Sequence, residues 1–248
     1  MRAFTQMMTG LVLALTLVAC NKTTTGVTDG DMTLGNADAK VTVIEYGSAS
    51  CTHCARWNNE VFAAFRAKYV DTGRVHYVFR EFLTEPRAMA AAGFLTARCA
   101  GRDKYFQVLD AVYHAQEEMF TTQDMRGPLL RIAQGVGLTE AQFNACVSDQ
   151  AATKALNDRV EKYSRDASIT ATPTFVINGK VNAGEMTMEQ LDAAITAAET
   201  AAGVTPPAAA PAAPATPAAP AATPAGPAAA PAAPAAPAAP APAAPPAK

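Results

Sequence analysis

The stretch from Lys40 to Trp57 reads KVTVIEYGSASCTHCARW, and its pattern changes twice. The segment from Lys40 to Tyr46 is rich in β-branched side chains, which is typical of a buried β-strand. Gly47 interrupts that pattern, and apolar residues at spacings of three and four follow from Cys51 onward, as expected for one face of a helix. These residues are Cys54, Trp57, Val61, Phe65 and Tyr69. The stretch therefore predicts a strand that leads into a helix beginning at a pair of cysteines.

The remainder of the body alternates between strand and helix signals. A second strand is predicted from Val75 to Phe82, and strands 174–177 and 180–183 are joined by a hairpin turn at Asn178-Gly179. The other predicted helices run over 87–100, 104–118, 129–135, 139–147, 152–165 and 188–202. The order β-α-β, helical insert, α-β-β-α predicts an α/β fold that contains an inserted helical domain.

The C-terminal segment has a different composition. From Gly203 to Lys248 the chain is almost only alanine and proline, and it holds all but three of the 18 prolines. Such a segment cannot bury enough apolar surface to offset its ordering entropy, so we expect a disordered tail over 203–248. The body before the tail is long enough for one domain with its own core. A net charge of −2 without a basic stripe argues against nucleic-acid binding.

The N-terminus has the composition of an export signal. Arg2 precedes an apolar run from Leu11 to Ala19, which is too short to cross a bilayer. The run ends in LVAC at 17–20, which resembles the lipobox of bacterial lipoproteins, whose cysteine is lipidated. We therefore expect a signal peptide over 1–19, a lipid anchor on Cys20 and a polar tether over 20–31. The alternative is an ordinary signal peptide that happens to contain a cysteine.

Export would place the protein on the periplasmic side of the bacterial envelope, an oxidising compartment. Lipidation of Cys20 would leave four of the five cysteines for pairing. Cys99 and Cys146 lie on the first and last helices of the insert, so we expect a disulfide that closes a loop of 47 residues. Two buried free thiols are the alternative for this distant pair.

The close pair, Cys51 and Cys54, admits three interpretations: a reactive dithiol, half of a zinc site or a structural disulfide. Zinc normally needs four ligands, commonly including a second close pair, whereas the sequence offers only the isolated His76 and His114. A disulfide that closes so short a loop restrains the unfolded chain little. The sequence favours the dithiol, and we expect neither a metal nor an organic cofactor.

The helical register gives the two sulfurs different chemistry. Cys51 is expected at the helix N-terminus, where free amide N–H groups and the helix dipole favour a thiolate, the reactive form of cysteine. Cys54 falls on the apolar face. We therefore predict an exposed, nucleophilic Cys51 and a buried, resolving Cys54. His53 lies between them, where its imidazole would donate to the Cys51 sulfur or add positive charge and so stabilise the reduced form.

The combination of motifs resembles the DsbA-like branch of the thioredoxin superfamily. It consists of a strand carrying Glu45, then CTHC opening a helix, then TPTF at 172–175 after a helical insert. The stretches LGNADAKVTVIEY at 34–46, RCA at 98–100 and KYF at 104–106 are also similar to that branch. The similarity extends from Met32 to Ala202. The usual residue after the first cysteine of that branch is proline, and Thr52 replaces it, which leaves the strength of the oxidant open.

The resemblance implies further site residues and a division of the body. It implies thioredoxin-like parts over 32–85 and 151–202 around an insert over 86–150. It also implies a cis peptide bond before Pro173, so that the backbone of Thr172 can pair with a substrate chain passing Cys51. Glu45 would help to deprotonate the buried cysteine, and Arg80 is a candidate partner for its carboxylate. An edge-facing glutamate without a role is the alternative.

The resemblance implies a lipid-anchored thiol-disulfide oxidoreductase that acts on unfolded, cysteine-containing exported proteins. A membrane quinone-linked oxidase would reoxidise it, and no cofactor beyond the Cys51–Cys54 disulfide would be needed. We expect a monomer, because only a short segment separates Cys20 from the domain. The alternatives are a disulfide isomerase or reductase of the same fold, and a non-enzymatic envelope lipoprotein that uses CTHC as a metal ligand or staple.

Overall fold

The computed structural model describes residues 26–167 and 169–205. The predicted signal peptide, Cys20 and the chain beyond residue 205 lie outside the described residues. No helix within the described ranges is both long enough and apolar enough to span a bilayer.

A five-stranded mixed sheet forms the centre of the described body, in the order β1-β3-β2-β4-β5. The strands are β1 Met32–Gly35, β2 Val41–Gly47, β3 Val75–Glu81, β4 Thr174–Ile177 and β5 Lys180–Ala183. Strands β2 and β3 are parallel, and the other pairs are antiparallel. The two strands of the predicted hairpin have their predicted bounds. Strand β1 was not predicted, because its four residues carry too short a pattern.

Helix α1 follows β2 and is continuous over 52–70. It consists of the segments Thr52–Trp57, Asn58–Phe62, Ala63–Phe65 and Arg66–Val70, of which the second and fourth are π-helical. The π-helical turn at 58–62 widens the spacing on the buried face, so Phe62 is buried there and Val61 only partly. The predicted apolar face is otherwise correct, because Cys54, Trp57 and two further aromatic residues are buried.

Seven more helices complete the described body. They are α2 Arg87–Cys99, α3 Tyr105–His114, α4 Gln116–Thr122, α5 Arg126–Gly135, α6 Glu140–Ser148, α7 Gln150–Ala167 and α8 Met188–Ala201. A 3₁₀ turn at Arg102–Lys104 precedes α3. The predicted helix over 104–118 is two helices that meet at Ala115. A capping box of Thr139 and Gln142 is present at the start of α6.

The helical insert packs closely on the loop that carries the cysteines. Gly93 of α2 lies so near this loop that an added Cβ would be 2.9 Å from the Cβ of Ala49. Phe94 is fully buried, with its ring centroid 6.0 Å from that of Phe79 on β3. A disulfide joins Cys99 at the end of α2 to Cys146 on α6, with 6.2 Å between their Cα atoms. The insert therefore forms one wall of the region around Cys51.

Arg80 has a different carboxylate partner from the one suggested by sequence. Its guanidinium is buried against Asp31, with Nε 3.2 Å from Oδ1 and Nη2 3.1 Å from Oδ2. It also donates to the hydroxyl of Tyr46 at 2.8 Å and the carbonyl oxygen of Gly26 at 2.7 Å. The suggested pairing with Glu45 is wrong. Because Asp31 is fully buried, the end of the predicted tether at 26–31 packs against the body.

Candidate active site

Cys51 is the N-cap residue of α1. Its backbone is extended, with φ −81° and ψ 118°, and its sulfur accepts a hydrogen bond from the amide N–H of Cys54 across 3.3 Å. The sulfur thus takes the place that an oxygen occupies in an ordinary N-cap and faces the unpaired N–H groups of the first helical turn. Both Cys51 and Cys54 are free thiols in this structure.

The two sulfurs differ in exposure, although less than the sequence predicted. Cys54 is fully buried, as expected for the apolar face of α1. Cys51 is only 9% exposed, so the prediction of an exposed sulfur is wrong in degree. The reason is the chain around Thr172, whose carbonyl oxygen lies 3.3 Å from the Cys51 sulfur and accepts a hydrogen bond from its thiol.

The peptide bond between Thr172 and Pro173 is cis. Strand β4, which begins at Thr174, pairs with β2 so that Phe175 lies opposite Glu45. This register brings Thr172 beside the end of β2 and hence beside Cys51, although 121 residues separate them in sequence. A second cis bond, between Glu85 and Pro86, was not predicted.

The surroundings displace the acidities of the two thiols in opposite directions. The pKa of Cys51 is lowered from 9.0 to about 6, chiefly because the Cys54 thiol donates a hydrogen bond to its sulfur. Burial opposes this effect, while the Thr172 hydroxyl and the backbone N–H groups of Cys54 and His53 lower the pKa further. The pKa of Cys54 is raised well above its ordinary value by burial first, and then by its bond to Cys51 and the negative charges of Cys51 and Glu45. Near neutral pH, Cys51 is therefore the thiolate and Cys54 the thiol.

Glu45 is buried in the middle of the sheet, below the two cysteines. Strands β3 and β4 flank it, and only 2% of its surface is exposed, so the edge-facing alternative is excluded. The hydroxyl of Tyr77 donates to its Oε2 across 2.6 Å. Burial raises the pKa of Glu45 to about 8, against the opposing effect of the Tyr77 hydrogen bond. Glu45 is therefore a carboxylic acid that holds its proton at neutral pH.

The imidazole of His53 contacts Glu185 rather than the Cys51 sulfur. Its Nδ1 lies 2.5 Å from Glu185 Oε1, and Arg56 donates to the same oxygen at 3.2 Å. The predicted hydrogen bond from the imidazole to Cys51 is absent from the described contacts. The physical reason is that His53 projects from the exposed side of the first turn, with 61% of its side chain exposed, where a carboxylate is within reach.

Several residues around the dithiol were not found by sequence reasoning. Gln116 donates through Nε2 to the carbonyl oxygens of Ala49 at 2.8 Å and Cys51 at 3.3 Å. Tyr113 is buried, and its pKa is raised by burial and by the nearby charges of Cys54 and Glu45. Tyr113 and Gln116 lie on the insert, far from CTHC in sequence, and they carry no motif. Only the three-dimensional structure shows that these two residues lie near the dithiol.

Metal binding finds no support in the geometry around the two cysteines. No group of three or more histidine, cysteine, aspartate or glutamate side chains is arranged to hold an ion among residues 26–167 and 169–205. His76 is buried on β3 and His114 is exposed on α3.

Comparison with known proteins places the chain among thiol-disulfide proteins. A family model described as thioredoxin matches residues 27–197. A candidate protein-disulfide oxidoreductase of Rickettsia bellii (strain RML369-C) is 32% identical over 175 residues, which cover 70% of this chain and 66% of that protein. Disulfide bond formation protein D of Bacillus subtilis (strain 168) is 22% identical over 157 residues, with 61% of this chain and 69% of that protein covered. The match therefore spans just under two thirds of the Rickettsia relative's own length.

Solved structures resemble the chain over a similar range. The crystal structure of alpha-DsbA1 from Wolbachia pipientis matches with a TM-score of 0.66 at 25% identity, covering 71% of this chain and 94% of that one. Oxidised BdbD from Bacillus subtilis matches with a TM-score of 0.54 at 20% identity, covering 69% of this chain and 94% of that one. The second likeness concerns the fold alone. Both matches agree with a thioredoxin-like sheet that carries an inserted helical domain.

Proposed function

The chain belongs to the thioredoxin family and has the fold of its DsbA-like members, and we propose that it exchanges a disulfide with cysteine-containing exported proteins through Cys51 and Cys54. The observation that carries this proposal is the asymmetry of the two sulfurs. One is an N-cap sulfur that is 9% exposed and has its pKa lowered to about 6, and the other is a fully buried thiol with a raised pKa. A thiolate at the helix N-terminus next to a buried thiol is suited to making and breaking a disulfide.

The proposed oxidation starts from the Cys51–Cys54 disulfide. A substrate thiolate attacks the Cys51 sulfur, a substrate–Cys51 disulfide forms, and Cys54 leaves with the electron pair of the broken bond. A second substrate thiolate then attacks the substrate sulfur of this mixed disulfide and expels Cys51 as a thiolate. The substrate loses two electrons and the dithiol gains them. The low pKa of Cys51 makes it the better leaving group, which favours this direction.

Glu45 is the proposed proton donor to Cys54 in the first step. Cys54 leaves as a thiolate in a fully buried position, where its charge is costly. Glu45 is protonated near neutral pH because its pKa is about 8, and it lies close enough to raise the pKa of Cys54. Transfer of the Glu45 proton to the Cys54 sulfur would remove the negative charge from the thiolate. Tyr77, bonded to the Glu45 carboxyl, would stabilise the resulting carboxylate.

The backbone of Thr172 is the proposed docking point for the substrate chain. The Thr172 carbonyl oxygen lies 3.3 Å from the Cys51 sulfur. A substrate that reaches Cys51 must therefore pass this backbone, where its N–H groups have an acceptor. Docking along an extended segment of this kind does not depend on the substrate's side chains, which suits an enzyme with many unfolded substrates.

An oxidase is favoured over an isomerase or reductase of the same fold by one observation, the lowered pKa of Cys51. A stabilised thiolate stabilises the reduced form and makes the disulfide more oxidising. A lipid anchor on Cys20, an envelope location on the periplasmic side, a monomeric state and reoxidation by a membrane quinone-linked oxidase complete the proposal. They rest on the sequence, because Cys20 lies outside the described residues.

The proposal is tested by mixing the oxidised protein with a reduced, unfolded substrate protein. We expect stoichiometric oxidation by the wild type and none by Cys51→Ala. The matched control is Cys99→Ala/Cys146→Ala, which removes the other pair and is expected to keep the activity. Equal activity in Cys51→Ala would defeat the proposed role of Cys51. No oxidation by the wild type would leave the non-enzymatic lipoprotein as the better interpretation.

A further inference from the structure

The loop between β5 and α8 is attached to the helix that carries the dithiol. Glu185, on this loop, accepts hydrogen bonds through one oxygen from His53 Nδ1 at 2.5 Å and Arg56 Nη1 at 3.2 Å. His53 is one of the two residues between the cysteines. The carboxylate of Glu185 therefore contacts the segment that tunes the dithiol, from 132 residues further along the chain.

The position of Glu185 is fixed by neighbours that do not involve His53. The indole Nε1 of Trp57 donates to the carbonyl oxygen of Met186 across 2.9 Å, and both side chains are buried. Thr187 then caps α8 in a capping box with Gln190. Because the residues after Glu185 are anchored to α1 and to α8, the backbone at Glu185 is held near α1 by contacts that do not involve His53.

The contact with Glu185 determines the position of the His53 imidazole, which lies between the two cysteines in sequence. A histidine in that position is able to donate a hydrogen bond to the Cys51 thiolate or to place positive charge beside it. In this structure Nδ1 of His53 is engaged by Glu185, and the same carboxylate offsets the charge of Arg56. The donors that lower the pKa of Cys51 are instead the Cys54 thiol, the Thr172 hydroxyl and the backbone N–H groups of Cys54 and His53. Because of Glu185, the His53 imidazole does not stabilise the Cys51 thiolate by a hydrogen bond.

We propose that Glu185 is a positioning residue that holds His53 away from the Cys51 sulfur and thereby weakens the oxidising strength of the Cys51–Cys54 pair. The proposal rests on the proposed thiol-disulfide exchange and deepens it. It also identifies a tuning element outside CTHC, in a chain where Thr52 takes the place of the usual proline. Release of the imidazole would stabilise the Cys51 thiolate, and so the reduced form.

The test is the equilibrium constant between the protein dithiol and glutathione, measured for the wild type, Glu185→Ala and Glu185→Gln. We expect both variants to shift toward the reduced protein, by about two- to fivefold for Glu185→Ala, as suits a partly exposed ion pair. Glu185→Gln retains the side-chain volume and serves if the alanine variant does not fold. The matched control is Glu189→Gln, an exposed glutamate in the first turn of α8, which is expected to leave the constant unchanged.

A second set of variants shows whether Glu185 acts through His53. In a His53→Ala background, the effect of Glu185→Ala on the equilibrium constant is expected to disappear. Persistence of the full shift there would overturn the positioning role. An unchanged equilibrium constant in Glu185→Ala would also overturn it, even if that variant unfolds at a lower temperature than the wild type. A wild-type protein that exchanges no disulfide with glutathione would instead defeat the proposed function itself.

Discussion

The sulfur of Cys51 accepts a hydrogen bond from the amide N–H of Cys54 across 3.3 Å, so the two cysteines interact directly through the first turn of α1. The Cys54 thiol donates to the same sulfur and is the largest cause of the low pKa of Cys51. Cys54 is therefore the leaving group when Cys51 forms the mixed disulfide, and in the reduced protein it stabilises the Cys51 thiolate. The pair acts as a unit, and changing one sulfur changes the other.

Replacement of Cys54 by alanine is expected to raise the pKa of Cys51 from about 6, because its main hydrogen-bond donor is lost. The thiolate fraction at pH 6 should fall from about one half to roughly one tenth, as follows from a tenfold change in the ionisation constant. The measurement is thiolate ultraviolet absorbance during a pH titration of the reduced protein. Cys54→Ser, which keeps a donor, should lie between the two. An unchanged midpoint in Cys54→Ala would contradict the assigned cause.

Replacement of Glu45 by glutamine is expected to slow the attack of a substrate thiol on the oxidised protein, because Cys54 loses its proton donor. General acid catalysis of this kind accounts for rate factors of about 10² or more, so we expect a decrease of roughly 10- to 100-fold at neutral pH. The fluorescence of the single tryptophan, Trp57, follows the reaction. The ratio of wild-type to variant rates should decline as the pH rises through about 8, where Glu45 loses its proton. Glu60→Gln on the exposed side of α1 is the control, and a constant ratio would count against the role of Glu45.

The same substitution is expected to change how stability depends on pH. The pKa of Glu45 is raised in the folded state, from 4.5 to about 8, so the folded protein binds a proton that the unfolded chain releases. Its contribution to stability is complete below pH 4.5 and is lost as the pH rises through 8. Relative to Glu45→Gln, the wild type should lose on the order of 3 kcal/mol between pH 5 and 8. Urea unfolding at several pH values measures this, and parallel curves for the two proteins would contradict the burial of an ionisable Glu45.

The parts of this fold that sequence predicted are those with a repeated local pattern. The buried strand before the cysteines, the apolar face of α1 and the hairpin turn at Asn178-Gly179 each show as periodicity or as a turn dipeptide. Strand β1 is too short for such a pattern, and neither π-helical turn of α1 shows in the spacing of the apolar residues. Local patterns therefore located the dithiol but not the details of the surface that surrounds it.

The disulfide between Cys99 and Cys146 is expected to stabilise the insert without taking part in exchange. It closes a loop of 47 residues, so Cys99→Ala/Cys146→Ala should lower the free energy of unfolding by about 4 kcal/mol. Denaturant unfolding gives the loss, and the glutathione equilibrium of Cys51–Cys54 should remain the same. A change in that equilibrium would link the second pair to the redox reaction.

The buried pair of Asp31 and Arg80 is expected to be essential for the stability of the body. Both side chains are at most 1% exposed, so Asp31→Asn would remove a buried carboxylate charge that lies against the guanidinium. We expect a loss of roughly 3–5 kcal/mol in the free energy of unfolding. The comparison is Glu118→Gln, whose partner Arg131 is largely exposed and whose removal should cost at most about 1 kcal/mol. Equal effects of the two substitutions would contradict the buried arrangement.

The residues of the site were only partly predictable from the sequence, because several of them lie far apart along the chain. Cys51, Cys54 and Pro173 lie in recognisable motifs, whereas Glu185 and Gln116 reach the dithiol from distant loops and helices. The direction of the His53 imidazole depends on Glu185, and the covering of Cys51 depends on Thr172. Such contacts are set by tertiary packing, so neither a spacing nor a composition indicates them.

The central claim is that Cys51 is the sulfur that forms the mixed disulfide, whereas Cys54 is the buried sulfur that does not react with the substrate. The most direct measurement incubates Cys54→Ala and Cys51→Ala separately with a single-thiol substrate activated as a disulfide, followed by peptide mass spectrometry without reduction. We predict a stable adduct on Cys51 in Cys54→Ala and little or none on Cys54 in Cys51→Ala, because Cys54 is fully buried with a raised pKa. Equal or faster modification of Cys54 would contradict the account.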